Sequence, residues 1–126
     1  MADLNGDGNL DLIIGDNGAI GVVFGHGNGT FGPHVYSYPR GSGSRNLVLA
    51  DFDGDGNIDV AAVGGGQNVS VLLGAGDGSF RARRQFPGGF GPVALAAANF
   101  DSSGKPDLAV ADLYINTITL LTNTSR

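Results

Sequence analysis

The sequence predicts an all-β chain built from repeated antiparallel meanders, and three observations carry that expectation. The 126 residues include 23 glycines, no glutamate and one lysine, so helix formers are scarce and turn formers abundant. The apolar residues fall in short runs of Val, Ile, Leu, Thr and Phe bounded by Gly, Asn and Asp, the pattern of strands joined by turns. One acidic loop also returns at a constant interval. DLNGDGNLD begins at Asp3, DFDGDGNID at Asp51 and NFDSSGKPD at Asn99, 48 residues apart each time. A repeat of this length fits one four-stranded blade of a β-propeller, and the chain length allows at most one modest domain.

Each strand follows from its place in the repeat. The first strand of a unit is read in NLVLA (46–50) and PVALAAA (92–98), directly before an acidic loop. The loop then leads into a second strand: LDLIIG (10–15), IDVAAVG (58–64) and PDLAVA (106–111). Third strands follow in IGVVFG (20–25), VSVLLG (69–74) and ITLLTN (118–123). GHGNGTF (25–31) and GAGDGSF (74–80) read as hairpin turns into fourth strands, HVYSYP (34–39) and RRQFP (83–87). They are one residue out of step because the second unit carries one extra residue.

This reading gives ten strands, or about two and a half blades, in repeats 1–46, 47–92 and a truncated 93–126. The first unit begins at its loop without an inner strand, and the last stops after its third strand. Joining copies head to tail would place a second-type strand directly after a third-type strand and break the blade order. The expectation is therefore a partial propeller cut from a longer ring, or a chain that must associate, with apolar blade faces exposed at both ends.

The charge pattern points to a cation. All twelve acids are aspartate, and nine stand in the three loops: Asp3, Asp7, Asp11, Asp51, Asp53, Asp55, Asp59, Asp101 and Asp107. Two carboxylates about 5 Å apart repel by roughly 1 kcal/mol in water and about 3 kcal/mol at an effective dielectric of 20. Counted from Asp51, side-chain oxygens fall at positions 1, 3, 5 and 9 (Asp51, Asp53, Asp55, Asp59), and Asn57 at position 7 offers its backbone carbonyl. Gly56 at position 6 lets the chain turn around a point. Oxygen ligands without His or Cys select calcium, and their number and flexible geometry suit it better than magnesium. The loop is not an EF-hand, whose bidentate Glu at position 12 is replaced by Ile14, Ala62 and Val110. With no cysteine there is no disulfide frame, no thiolate zinc site and no cysteine nucleophile.

Three D-x-[DN]-x-[DSN]-G-x-x-D-like loops, each followed by an apolar strand and in two units by G-x-G-[ND]-G-[TS]-F, resemble the FG-GAP/VCBS repeat family. Such repeats form the calcium-binding propellers of integrin α-subunits and of many secreted proteins. The resemblance implies a first ligand set of Asp3, Asn5, Asp7, Asn9 and Asp11, and a second of Asp51, Asp53, Asp55, Asn57 and Asp59. The third loop departs from the pattern: it offers Asn99, Asp101, Ser103 and Asp107, with Lys105 at position 7, where only its carbonyl is needed. By carboxylate number the second loop ranks first, with four, then the first loop with three and the third with two. Two Ca²⁺ sites are expected, and the third loop is held by local hydrogen bonds.

Other features receive plainer readings. Arg81, Arg83 and Arg84 could meet an anionic glycan, but on an outermost strand their charge discourages edge-to-edge aggregation. Tyr36 and Tyr38 could stack on a sugar, though packing between blades is the simpler role. His26 and His34 are isolated, and beyond the loops only Asp16, Asp77 and Asp112 remain as acids, so no nucleophile and base pair up. The chain is expected not to be an enzyme. Asn28, Asn68 and Asn123 begin N-x-[ST] sequons, relevant only in a eukaryotic secretory setting. Neither a membrane span nor a signal peptide is visible, and nucleic acid is not an expected partner. The resemblance implies an extracellular or cell-surface module that recognises a protein or glycan. The alternatives are a non-catalytic accessory propeller of a secreted enzyme, such as a polysaccharide lyase, and a purely structural repeat.

Overall fold

A computed structural model describes residues 1–16, 19–38, 45–64 and 66–125. Among these residues ten strands form three antiparallel sheets. The first sheet runs in the order β1 (Leu12–Asp16), β2 (Ala19–Gly25), β3 (Phe31–Tyr38). The second holds β4 (Asn46–Ala50), β5 (Asp59–Val63), β6 (Asn68–Gly74) and β7 (Phe80–Pro87), neighbours in space as in sequence. The third comprises β8 (Pro92–Ala98), β9 (Asp107–Asp112) and β10 (Thr117–Leu121). The middle sheet is thus the four-stranded meander the repeat predicts. The strands after the hairpin turns begin earlier than expected, because Phe31 and Phe80 already pair with Gly25 and Gly74.

The three units share one register. Ala50 pairs with Asp59 at the mouth of the second loop, and Ala98 with Asp107 at the third. Ahead of the first loop Ala2 makes an isolated antiparallel bridge to Asp11, the same pairing one repeat earlier. Each acidic loop therefore joins the first strand position of its sheet to the second, as the sequence predicts.

The middle sheet is covered on both faces, which explains why β5 reads DVAAV with no polar alternation after its first residue. All five of its residues are buried. Successive side chains of a strand point to opposite faces. Val60 and Ala62 pack with Ile20 and Leu72 in one core, toward the first sheet. Ala61 and Val63 pack with Val69, Val71, Leu108 and Val110 in the other, toward the third sheet. The Asn46 side chain adds a polar link between inner strands, its Oδ1 accepting from the Leu95 N–H at 2.9 Å. Outer positions of the third sheet are open by contrast: Ile118 and Leu120 on β10 are exposed. Among the described residues no helix is long and apolar enough to cross a membrane.

Candidate metal centre

Three local arrangements build the first two acidic loops, and the third loop shares the second of them. At position 1, the Asp51 carboxylate accepts backbone N–H bonds from Gly54 (2.7 Å), Asp55 (3.1 Å) and Gly56 (2.9 Å). Asp3 does the same for Gly6, Asp7 and Gly8, at 2.8, 3.2 and 2.9 Å. One carboxylate thus gathers three amides and bends the loop around itself. The bend needs left-handed backbone at position 4 as well as position 6. Gly6 and Gly54 have φ of 75° and 78°, and in the third loop Ser102 takes the same conformation at 64° without being glycine. Position 4 was not singled out in the sequence, although both aspartate-rich loops carry glycine there.

Position 9 has a different task. Asp11, Asp59 and Asp107 are fully or almost fully buried. Each takes one backbone N–H from position 2 of its loop: Leu4 at 2.8 Å, Phe52 at 2.7 Å and Phe100 at 2.8 Å. Each takes another from the end of the third-position strand, or two residues beyond it in the last unit: Gly25 at 3.0 Å, Gly74 at 2.8 Å and Asn123 at 2.7 Å. This aspartate pegs the loop to the sheet. Burial pushes the Asp59 carboxyl above its ordinary value, against the bonds from Gly74 and Phe52. Asp107 is held below it, chiefly by the Asn123 N–H.

The turn after the third strand locks onto the same loop, which accounts for the glycines of GHGNGTF and GAGDGSF. A Cβ on Gly74 would stand 2.2 Å from the Ile58 carbonyl oxygen, and one on Gly25 would be 2.0 Å from that of Leu10. A Cβ on Gly76 would meet the Asn57 side chain at 2.5 Å. Within the turn, Asp77 Oδ1 accepts from the Ser79 N–H and hydroxyl, and Asn28 Oδ1 does the same for Thr30.

In the second loop these constraints bring Asp51, Asp53 and Asp59 together, with one carboxylate oxygen of each within 4.8 Å of the others. Among the described residues no other group of three acidic or histidine side chains meets so closely. The spacing fits a hard cation: oxygens about 2.3–2.6 Å from a shared calcium lie no further apart than roughly 5 Å. The donor set is all oxygen. Asp55 lies outside this trio. Its carboxylate accepts from the Asn57 N–H at 2.8 Å and the Asn57 side chain at 3.0 Å, and it is ion-paired to Arg81. The Asn57 bonds first, then Arg81, hold the Asp55 carboxyl below the usual range.

The first loop repeats the backbone geometry with Asn5 at position 3, where the Asn5 amide donates to Asp7 at 3.1 Å. The third loop lacks the position 1 carboxylate. Asp101 accepts from Ser103 N–H (2.9 Å) and Ser103 Oγ accepts from Lys105 N–H (3.3 Å), the local hydrogen bonding expected of it. Arg81 and Arg84 do lie on β7, the outermost strand of the middle sheet; the side chains of Arg83, Tyr36, Tyr38 and Asp16 lie outside the described residues. His26 stands in the β2–β3 turn and His34 on β3. Asp112 is a buried anchor, accepting from the N–H groups of Phe90, Gly91, Tyr114 and Ile115.

An all-β repeat chain, with an aspartate loop between the first and second strand positions of every sheet, is the class defined by this geometry. A family model described as FG-GAP-like repeat matches residues 3–62 and again 51–110, the two matches offset by the same 48 residues as the loops. The chain belongs to the FG-GAP family. FG-GAP-like repeats are non-catalytic structural modules. No curated protein and no solved structure matches the chain.

Proposed function

We propose that this chain is a calcium-stabilised segment of a β-propeller that serves outside the cell, or on its surface, as a recognition or adhesion module for a protein or glycan. The convergence of Asp51, Asp53 and Asp59 carries the metal part of this reading. The proposed ligands are Asp51, Asp53, Asp55, the Asn57 carbonyl and Asp59, with Asp3, Asn5, Asp7, the Asn9 carbonyl and Asp11 in the first loop. The third loop, with Asn99, Asp101, Ser103, the Lys105 carbonyl and Asp107, is the weakest candidate. Calcium would neutralise carboxylates that otherwise repel and tie each loop to its sheet. Family membership and the meander of the middle sheet support a division into blades, proposed as 1–46, 47–92 and 93–126, with Asn46 and Pro92 already paired in the strands that open the second and third units. The open outer face of the third sheet supports a place in a longer ring or an association between copies.

A second reading makes the loops turns with no metal. The position 9 carboxylates favour it, since backbone N–H groups already engage both oxygens. Calcium calorimetry on chelator-stripped protein, paired with melting curves, separates the two. Two sites and a melting point that rises with calcium are expected, with a gain of about 2.7 kcal/mol at a hundredfold excess over Kd. No heat and an unchanged melt would overturn the calcium reading and leave the fold intact. A glycan array on the calcium-loaded protein then tests recognition.

A further inference from the structure

We propose that Arg81 is a built-in competitor for the cation of the second loop, so that this loop binds calcium less tightly than its four aspartates suggest. The inference rests on the calcium reading above and concerns its regulation. Arg81 is the second residue of the outermost strand, directly after the Phe80 that pairs with Gly74. Its guanidinium reaches back to the loop and pairs with the Asp55 carboxylate, while the same nitrogen donates to the Gly74 carbonyl at 2.8 Å. Gly74 is the residue whose N–H holds Asp59. Arg81 is therefore seated on the frame of the loop, and it does not merely brush one carboxylate.

Asp51, Asp53 and Asp59 form the close trio, and Asp55 lies outside it. Asp7, at the same position of the first loop, also joins no such trio among the described residues, so Arg81 acts through its pairing with Asp55 and its charge, not by setting the shape of the loop. Both Asp55 oxygens are engaged, one by the Asn57 N–H and the other by Asn57 Nδ2 and Arg81. To become a ligand Asp55 must release the guanidinium, and an arginine remaining nearby repels a divalent cation. The first repeat provides the control. Gly25–Phe31 matches Gly74–Phe80, so the residue in the place of Arg81 is Gly32, which has no side chain to offer Asp7. Carboxylate number alone ranks the second loop above the first; the arginine narrows or reverses that order.

The pair is partly solvent-exposed, with side-chain exposures of 54 % for Arg81 and 27 % for Asp55, so the effect is moderate. Removing the arginine is expected to tighten the second loop about threefold to tenfold, the range of an ion pair of this kind together with relief of repulsion. Two-dimensional amide NMR during calcium titration resolves the loops, because Gly8 and Gly56 occupy position 6 of the first and second. In Arg81→Gln the Gly56 midpoint should fall to lower calcium while that of Gly8 stays fixed, and Arg81→Lys should lie between. Gly32→Arg should move the Gly8 midpoint to higher calcium; a Cβ there meets only ordinary contacts, with His26 at 3.6 Å. A Gly56 response in wild type that Arg81→Gln leaves unchanged or weakens overturns the competitor and spares the calcium reading. No response at either glycine in any of the proteins overturns both.

Discussion

The second and third loops take the same path through space with different chemistry. The second gathers amides onto Asp51, brings three carboxylates together and places glycine at position 4 and at the docking point of the following turn. The third has Asn99 in place of that aspartate, Ser102 at position 4, and Asn123 where the other units have Gly25 and Gly74. Room at Asn123 is put to use. Its side chain donates to the Pro106 carbonyl at 3.0 Å, the same carbonyl whose counterpart, Ile58, excludes a Cβ at Gly74. Asp112 supplies a further anchor where the second unit has Gly64. What stays constant is the buried aspartate at position 9. Loop shape and carboxylate convergence are therefore separable properties: the peg sets the path, and positions 1 and 3 decide whether further carboxylates gather beside it.

The strongest test of that separation removes the peg. Asp59→Ala strands the buried N–H groups of Phe52 and Gly74 and should cost about 3 kcal/mol in urea unfolding without calcium, and more with it, because the trio is lost as well. Asp107→Ala, at the weakest metal candidate, should cost a similar amount whether or not calcium is present. Next comes Gly74→Ala, whose Cβ meets a backbone oxygen that cannot swing aside; a loss of about 2 kcal/mol is expected.

Asp112→Asn probes an anchor that the second unit, with Gly64 at that place, lacks. Burial pushes the Asp112 carboxyl up, but the four N–H donors outweigh it and hold the folded value below the ordinary one. The folded state thus binds this proton less readily than the unfolded chain. Its contribution is complete above the usual aspartate range and is lost as pH falls through the lowered value. The variant should be less stable at neutral pH and show a shallower acid-side decline in melting temperature. Rebuilding the cage comes after it: Asn99→Asp with Ser103→Asp should add one weak calcium site to the calorimetric stoichiometry. The smallest effect is that of Ser102→Gly, which relieves a left-handed serine and should stabilise by about 0.5 kcal/mol in thermal melts.

The architecture was legible because its signals repeat. Ten apolar runs became ten strands, and the 48-residue spacing of the loops became the common register of Ala2, Ala50 and Ala98 with the position 9 aspartates. Contacts between distant segments left no such trace. Nothing in RARRQFP says that Arg81 turns back to Asp55, 26 residues earlier, because a strand residue's reach depends on the twist and turn before it. The split within the loop was equally hidden. Asp53 and Asp55 look equivalent in DFDGDGNID, yet one joins the carboxylate trio and the other pairs with arginine.

Asn123 ties the end of the third unit to the second loop: its side-chain nitrogen donates to the Phe52 carbonyl at 2.6 Å as well as to Pro106, and Ser125 donates to the same Phe52 oxygen. That nitrogen is also the atom an oligosaccharide would occupy, because Asn123, Thr124 and Ser125 form an N-x-[ST] sequon. Asn28 and Asn68 are exposed and could carry sugar without breaking such a clasp. The expression host thereby becomes a structural variable. A bacterial product keeps the clasp, whereas a secretory eukaryotic cell that modified Asn123 would release the third sheet from the second loop.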